Sequence, residues 1–261
     1  MKIIDLPTEH ENLYFCCLED WSEEVKEAGD HKARWYRRLK DKGLGVKLAL
    51  DDRGEVGGMI QYIPIEYSPA EGRDLYFVSC IWVHGHKQGR GNFQKKGMGK
   101  ALIRAAEDDV RARGAKGLVV WGLTLPFFMR ASWFKKQGFS PVDKLGMGVL
   151  LWKPFTPDAQ PPRWIKPKKR PEPSTDKVEV RAFVDGWCTS MIIVTERARR
   201  ASAEFGDRVD FQTVDTWQDD VFAEWGIRDG LFINGKAVRT GPPPSYDKIK
   251  SKIAKQAKKK K

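Results

Sequence analysis

The sequence has few cysteines, and none of them is spaced for metal binding or dithiol chemistry. Four cysteines occur among 261 residues, and no Cys-x-x-Cys motif is present. A zinc ribbon or a dithiol redox centre needs such a pair, so both classes of site are excluded. Isolated thiols are typical of a protein that functions in a reducing compartment.

Long apolar runs are also absent. No segment approaches the ~18 consecutive apolar residues that a membrane-spanning helix requires. The opening residues, MKIIDLPTEHENL, become polar after two isoleucines and lack the apolar region of a secretory signal. We therefore expect a cytoplasmic protein with no membrane partner.

The net charge of +12 lies mostly outside the segments predicted to fold. Residues 248–261 carry eight lysines and no acidic residue, and residues 156–173 carry five basic and two acidic residues. Blocks of like charge are typical of solvated segments, so a solubilising tail and a solvated linker are favoured. Contact with RNA or an acidic partner is the less favoured alternative, and nothing in the sequence predicts an oligomer.

A proline-rich segment divides the chain. Residues 154–176 contain seven prolines and few apolar residues, which is typical of an extended, semi-rigid linker. We predict an N-terminal domain at 1–155, a proline-rich basic linker at 156–176, a C-terminal domain at 177–257 and a lysine tail at 258–261.

Strand and helix patterns alternate in the N-terminal part. The predicted strands are 46–51, 55–65, 75–83, 117–121 and 148–152. The predicted helices are 9–29, 31–41, 99–113 and 130–137. This order predicts an α/β (α+β) fold, in which the 99–113 helix turns one apolar face towards the sheet.

A glycine-rich loop, Gln94-Lys95-Lys96-Gly97-Met98-Gly99, joins the third predicted strand to the long helix. Backbone N–H groups at a helix N-terminus attract anions, and glycines allow a ligand to approach the backbone closely. Together with the two lysines, this pattern suits a pyrophosphate, and a plain tight connection is the alternative of equal weight. A Walker loop is excluded because Gly99-Lys100 is followed by Ala101 rather than by Ser or Thr.

The same loop resembles the Q/R-x-x-G-x-G/A signature of the GNAT superfamily of N-acetyltransferases. A second segment, Trp133-Phe134-Lys135-Lys136-Gln137-Gly138-Phe139, is similar to that superfamily's FYEKLGF element. The adjacent Cys16 and Cys17, Trp35, the CIWVHG segment and the C-terminal appendage resemble the YoaP-type branch. In that branch a small thioredoxin-like domain follows the acetyltransferase.

The resemblance implies a GNAT fold with a mixed, centrally splayed sheet. It also implies an acyltransferase that transfers groups other than aminoacyl groups. Acetyl-CoA would acetylate a primary amine of a small molecule by direct attack in a ternary complex, with no metal. The resemblance assigns the pantetheine arm to Ile81, Trp82 and Val83. It assigns the pyrophosphate to Gln94, Lys95, Lys96, Gly97, Met98, Gly99 and the N–H of Lys100.

Two residues bear on the catalytic chemistry. Phe134 occupies the position where the superfamily usually has a tyrosine as general acid, and a phenyl ring cannot protonate a thiolate. Either the CoA thiolate leaves unaided or another residue protonates it. His84 directly follows the central strand and is a candidate general base, with an ordinary surface-loop histidine as the alternative. Glu66 and Asp74 are further candidate bases.

The cysteines of the first domain have two interpretations. Cys80 lies in a predicted strand beside the expected thioester, where it is either an acylated thiol or, as we favour, a small buried hydrophobic residue. Cys16 and Cys17 either pack or contact the acceptor.

The pattern of residues 177–257 resembles thioredoxin, with Trp187-Cys188 standing where the WCxxC motif begins. Met191 replaces the second cysteine and Gly230 replaces the cis-proline, so a dithiol cycle within the domain is excluded. Cys188 at a helix N-terminus is a candidate reactive thiol. A domain used for packing or recognition is the favoured alternative.

Three functions therefore compete. The first is an N-acetyltransferase acting on a small amine. The second is a protein that binds acyl-CoA without chemistry, which the phenylalanine at 134 favours. The third is a thiol-handling protein centred on Cys188.

Overall fold

The computed structural model describes residues 1–125, 128–239 and 242–260. The chain forms two compact units: Met1–Ser22 with Tyr36–Ile165, and Glu23–Trp35 with Lys166–Lys261. The division after Ile165 falls inside the predicted linker. The segment Glu23–Trp35 belongs to the second unit, whereas the sequence pattern assigned it to the N-terminal domain.

The first unit contains a seven-stranded sheet with the order β1-β2-β3-β5-β6-β8-β7 and a separate two-stranded sheet formed by β4 and β9. The strands are β1 Lys2–Asp5, β2 Gly45–Leu50, β3 Val56–Pro64, β4 Ala70–Glu71, β5 Leu75–Val83, β6 Gly117–Leu123, β7 Ser140–Leu145, β8 Gly148–Pro154 and β9 Arg163–Trp164. β5 and β6 run parallel, and the other neighbouring pairs of the large sheet run antiparallel.

β5 and β6 pair only over their first four residues, from Leu75–Gly117 to Val78–Val120. Beyond that point β5 continues along β3 and β6 continues along β8, so the two strands separate. The register of β3 on β5 shifts at Ser79, and the indole N–H of Trp121 donates to the Ser79 carbonyl at 2.9 Å. The predicted mixed, centrally splayed sheet is thus confirmed.

The helices of the first half of the chain differ from the prediction at one place. They are α1 Glu11–Phe15, α2 Glu23–Lys26, α3 His31–Leu39, α4 Met98–Ala112 and α5 Ala131–Lys136. The continuous helix predicted over 9–29 is wrong, because Cys17 and Leu18 adopt left-handed φ angles of 55° and 65° and end the helical path. The bounds of α3, α4 and α5 lie within two residues of the predicted ones.

α4 covers one face of the large sheet. Leu102, Ala106 and Val110 are fully buried against strand residues, as the apolar spacing predicts. Ile81 and Val83 of β5 pack against the same cluster. The alternation of a strand therefore directs Cys80 and Trp82 to the opposite face of the sheet.

The second unit has a four-stranded sheet with the order β11-β10-β12-β13. Its strands are β10 Val178–Val184, β11 Val209–Asp215, β12 Gly230–Ile233 and β13 Lys236–Val238, and its further helices are α6 Thr189–Ala203, α7 Asp219–Trp225 and α8 Tyr246–Ala257. β10 and β11 run parallel, whereas β12 is antiparallel to β10. The buried positions of α6 and α8 pack together with the sheet.

The end of the predicted linker is packed rather than fully solvated. The Lys168 N–H donates to the Trp225 carbonyl at 2.9 Å, and the Lys169 ammonium lies 4.1 Å from the centre of the Trp225 ring. Lys166 and Lys168 approach Gly226 so closely that a Cβ there would meet backbone at 2.4 Å. Backbone hydrogen bonding, which charge counting does not report, places this basic segment on α7.

Within the part of the chain that the structure describes, no helix combines the length and apolar character needed to span a bilayer. Among the same residues, no group of three or more His, Cys, Asp and Glu side chains is arranged to hold a metal ion.

Candidate active site

A cavity of about 550 Å³ lies where β5 and β6 separate and α4 begins. Its lining comes from the end of β5, the glycine-rich loop and the start of α5. The lining residues are Ile81, Trp82, Val83, Phe93, Gln94, Lys95, Gly97, Met98, Gly99, Lys100, Phe128, Met129, Arg130, Trp133 and Phe134. The structure therefore brings together most of the residues predicted to bind the cofactor. Lys96 is outside this lining, and its ammonium lies 5.1 Å from the centre of the Phe93 ring.

The backbone of the glycine-rich loop turns sharply into α4. Gly97 has φ 86° and immediately precedes the helix, and Lys95 has φ 63°. Ala101 donates the first helical hydrogen bond, to the Gly97 carbonyl at 3.1 Å. The N–H groups of residues 98–100 precede that bond, so they are the donors that a helix N-terminus offers to an anion.

The cavity is basic near this turn. Lys95, Lys100 and Arg130 contribute to its lining. Trp133 closes one side, since a Cβ at Gly99 would lie 3.3 Å from the Trp133 ring. Cationic side chains beside helix N–H groups suit a phosphate-bearing ligand.

His84 is fully buried, contrary to the interpretation of a surface-loop histidine. Its Nδ1 lies 2.7 Å from the Gly91 carbonyl oxygen, and the indole N–H of Trp21 donates to its Nε2 at 3.1 Å. A carbonyl can only accept and an indole N–H can only donate, so the ring is neutral with its proton on Nδ1. A base role would require His84 to release Trp21 first.

His84 also fixes the backbone on both sides of the loop. Its N–H donates to the Gly57 carbonyl and its carbonyl accepts from the Phe93 N–H, each at 2.9 Å. Directly after Phe93, the Gln94 side chain donates to the Val83 carbonyl at 3.4 Å. The loop that begins at His84 is therefore tied to the loop that lines the cavity.

Trp21 supports the same loop, and sequence reasoning did not identify it. A Cβ at Gly89 would lie 1.9 Å from the Trp21 ring, so the backbone packs directly on the indole. Arg90 donates to the Val56 carbonyl at 3.1 Å and pairs with Asp20 at 3.4 Å. The contacts of Arg90 join positions 34 and 70 residues apart, so no local pattern signals them.

Phe134 is fully buried and lines the cavity. Its ring meets those of Trp133 and Phe139 edge-on, with centroid separations of 5.0 and 6.0 Å. It is therefore a packing residue in the aromatic layer behind the cavity, and it offers no proton there.

Glu66 and Asp74 lie at the wrong end of the sheet for a base at the splayed strands. Pro64 pairs with Tyr76 at the start of β5, while Gly58 pairs with Val83 at its end. Seven residues of strand separate these ends by roughly 23 Å. Glu66 and Asp74 both lie next to the Pro64–Tyr76 end.

A buried polar pair occupies the face of the sheet opposite α4. The Tyr14 hydroxyl donates to the Gln61 side-chain carbonyl at 2.8 Å, and Gln61 lies opposite Cys80 in the strand register. Burial, followed by the neighbouring Cys17 and Cys80, raises the pKa of Tyr14 well above its usual value. Cys80 is itself buried within this packed layer, in agreement with a small hydrophobic role.

Cys188 lies at the N-terminus of α6, in the second unit. Its carbonyl accepts from the Ile192 N–H at 3.1 Å, and its side chain is half-buried. The preceding residue, Trp187, donates its indole N–H to Asp229 at 2.7 Å. Burial raises the pKa of Asp229 to about 6. The sequence analysis did not identify this carboxylate.

A family model described as the acetyltransferase (GNAT) family matches residues 9–139, just over half of the 261 residues. A search of curated protein sequences finds no match.

Similar solved structures include the PaiA N-acetyltransferase from Thermoplasma acidophilum in complex with coenzyme A, which is 19% identical with a TM-score of 0.43. That match covers 59% of this chain and 100% of the other. A GNAT family acetyltransferase from Brucella melitensis in complex with acetyl-CoA is 20% identical with a TM-score of 0.39, covering 61% and 90% of the two chains. The GNAT family N-acetyltransferase YhbS from Escherichia coli in complex with CoA is 14% identical with a TM-score of 0.43, covering 62% and 88%.

Proposed function

We propose that this chain, which belongs to the acetyltransferase (GNAT) family, transfers the acetyl group of acetyl-CoA to a primary amine of a small molecule. The observation that carries the proposal is the cavity at the separation of β5 and β6, with the first turn of α4 opening into it. A splayed strand edge beside an anion-binding helix start suits a ligand with both a peptide-like arm and phosphates.

Acetyl-CoA would lie with its pyrophosphate on the N–H groups of residues 98–100. Lys95 and Lys100 would supply the opposing charge. The pantetheine amides would pair with the backbone of residues 81–83, along the edge of β5 that β6 no longer covers. Gly97 and Gly99 let the ligand approach the backbone without a Cβ in the way.

The reaction follows from a ternary complex. The neutral amine attacks the thioester carbonyl carbon, a C–N bond forms, and the C–S bond then breaks to release the CoA thiolate. The proton lost by the nitrogen passes through water to the thiolate, because Phe134 cannot donate one. We assign His84 to fixing the loop rather than to proton transfer, since both ring nitrogens are hydrogen bonded.

We also propose that the second unit is a thioredoxin-like domain of the YoaP type. Its support is the parallel β10–α6–β11 unit followed by α7, the β12–β13 hairpin and α8, with Cys188 at the start of α6. Because Met191 stands where thioredoxins have their second cysteine, this domain would serve packing or recognition. A cytoplasmic location of the chain accords with four cysteines that form no disulfide bond.

The test measures release of the CoA thiol from acetyl-CoA with a panel of primary amines. Thiol release that depends on the amine, with acetylated product found by mass spectrometry, is the expected result. Calorimetric titration with CoA runs in parallel. Binding of CoA without thiol release for any amine would refute acyl transfer and favour the second function, an acyl-CoA-binding protein, to which the buried Phe134 points.

A further inference from the structure

Five aromatic rings form a continuous series beside the cavity. Trp21 meets His86, His86 meets Trp82, Trp82 meets Phe128, and Phe128 meets Trp121, with centroid separations of 5.7, 6.1, 6.1 and 6.1 Å. The rings of this series, here termed the aromatic wall, are each at least partly exposed. Aromatic and apolar side chains that line a cavity are typical of a ligand-binding site.

The wall spans the gap between the splayed strands. Trp82 belongs to β5 and Trp121 to β6, and the Phe128 ring contacts both indoles. Trp82 and Phe128 also line the cavity. The wall therefore adjoins the place where the thioester would lie.

The charged groups beside the wall already have partners. Glu19 lies 3.6 Å from His86, and Asp20 pairs with Arg90 at 3.4 Å. A polycationic acceptor needs several carboxylates to receive its charges, and these two are engaged. Aromatic rings instead provide apolar area and favourable ring stacking.

The wall also suits the chemistry of the attacking nitrogen. Removing an ammonium group from water disfavours its charged form, so an apolar surface favours the neutral amine that can attack a thioester. Desolvation would then supply the neutral amine without a general base. His84 is hydrogen bonded at both ring nitrogens, and Glu66 and Asp74 lie at the other end of the sheet.

We propose that the aromatic wall binds the acceptor and that the acceptor is an arylalkylamine, a single primary amine joined to an aromatic ring through a short alkyl link. This inference rests on the proposed acetyl transfer. The aromatic frame stacks on Trp82 and Phe128, and the amine projects towards the thioester across the splayed strands.

The test compares tryptamine and phenethylamine with kanamycin, a polycationic aminosugar, on the full chain. We expect kcat/KM from thiol release to be at least ~10-fold higher for the arylalkylamines, a difference of about 1.4 kcal/mol. The same amines are titrated calorimetrically into protein saturated with CoA, a measurement that does not need turnover.

A matched pair of variants locates the site. Trp82→Leu should raise the KM, or the Kd, for tryptamine at least ~5-fold and should change the KM for acetyl-CoA less, because the cofactor is assigned to the backbone of residue 82 and the acceptor to its ring. Trp217→Leu makes the same change at an indole outside the wall, whose residue is 44% exposed, and should alter neither constant.

The outcomes separate the two proposals. Arylalkylamines that bind in a Trp82-dependent way but release no thiol would refute acetyl transfer and leave the wall as their site. Thiol release with kanamycin in preference to arylalkylamines would refute the wall and leave acetyl transfer standing. Arylalkylamines that neither bind nor react, or that bind equally well to Trp82→Leu, overturn the inference.

Discussion

Replacing His84 distinguishes a fixed structural imidazole from a catalytic base. The substitution His84→Gln keeps an N–H donor and an oxygen acceptor in the side chain but removes a group that can take up a proton near neutral pH. His84→Leu removes the donor and the acceptor together. The Trp21 indole and the Gly91 carbonyl then lose the partners that lie 3.1 and 2.7 Å away.

The expected loss in free energy of unfolding follows from those two hydrogen bonds. A buried donor or acceptor left without a partner costs ~1–3 kcal/mol. Trp21 and Gly91 are both partly exposed, so water recovers some of this loss. We therefore expect His84→Leu to lower the free energy of unfolding by ~2 kcal/mol and His84→Gln by ~1 kcal/mol.

The kinetic consequence is a change in binding rather than in turnover. Loosening the loop that carries Gly91, Phe93 and Gln94 should raise the KM for acetyl-CoA several-fold. We expect kcat of His84→Gln to fall less than ~5-fold, whereas loss of a general base costs ~100- to 10,000-fold.

The assays are urea unfolding and steady-state thiol release across pH. His10→Gln is the control, since it removes an imidazole outside these hydrogen bonds. The reasoning is refuted if His84→Gln unfolds like the parent, keeps its KM for acetyl-CoA and loses at least ~100-fold in kcat.

Three further predictions concern other parts of the chain. Gly97→Ala should raise the KM for acetyl-CoA and cost ~1–2 kcal/mol, because its φ of 86° is left-handed; an unchanged KM would place the anion elsewhere. The hydrogen bond from Arg197 is the main reason that the pKa of the Glu27 carboxyl is lowered. The pair therefore stabilises the fold above the unfolded-state pKa of Glu27, and this stabilisation is lost as pH falls below about 4.5. Arg197→Ala should weaken the second unit at pH 7 and reduce that acid-side loss, with Arg200 supplying the remainder, and pH-dependent melting that shows an undiminished loss would contradict this. The pKa of Asp229 is raised to about 6, so its contribution to the stability of the fold falls as pH rises from about 4 to 6. Asp229→Asn should remove this pH dependence of the melting temperature while its side-chain oxygen still accepts from Trp187. Thermal melts with an unaltered pH profile would argue against this.

Local patterns anticipated the elements that carry the cofactor loop. The apolar spacing of α4, the strand β5 and the glycine-rich turn between them each depend on residues close together in the chain. The prediction of a helix over 9–29 is wrong at Cys17 and Leu18, where the backbone adopts left-handed φ angles within a continuous apolar spacing. Periodicity describes one face of a helix and does not report where the backbone must turn.

The resemblance to the GNAT superfamily, and no local pattern, predicted the splayed sheet. Sequence patterns alone predicted the strand β5, the loop that opens α4 and the absence of a tyrosine at position 134. These follow from periodicity and from residue identity at fixed spacing. The hydrogen bonds of His84 are visible only in the tertiary structure, because its two partners lie at positions 21 and 91. The aromatic wall is also a product of tertiary structure, since its rings come from separate segments that meet where β5 and β6 part. A hydrogen bond or a ring contact across the fold depends on three-dimensional proximity, and the spacing of residues along the chain does not encode it.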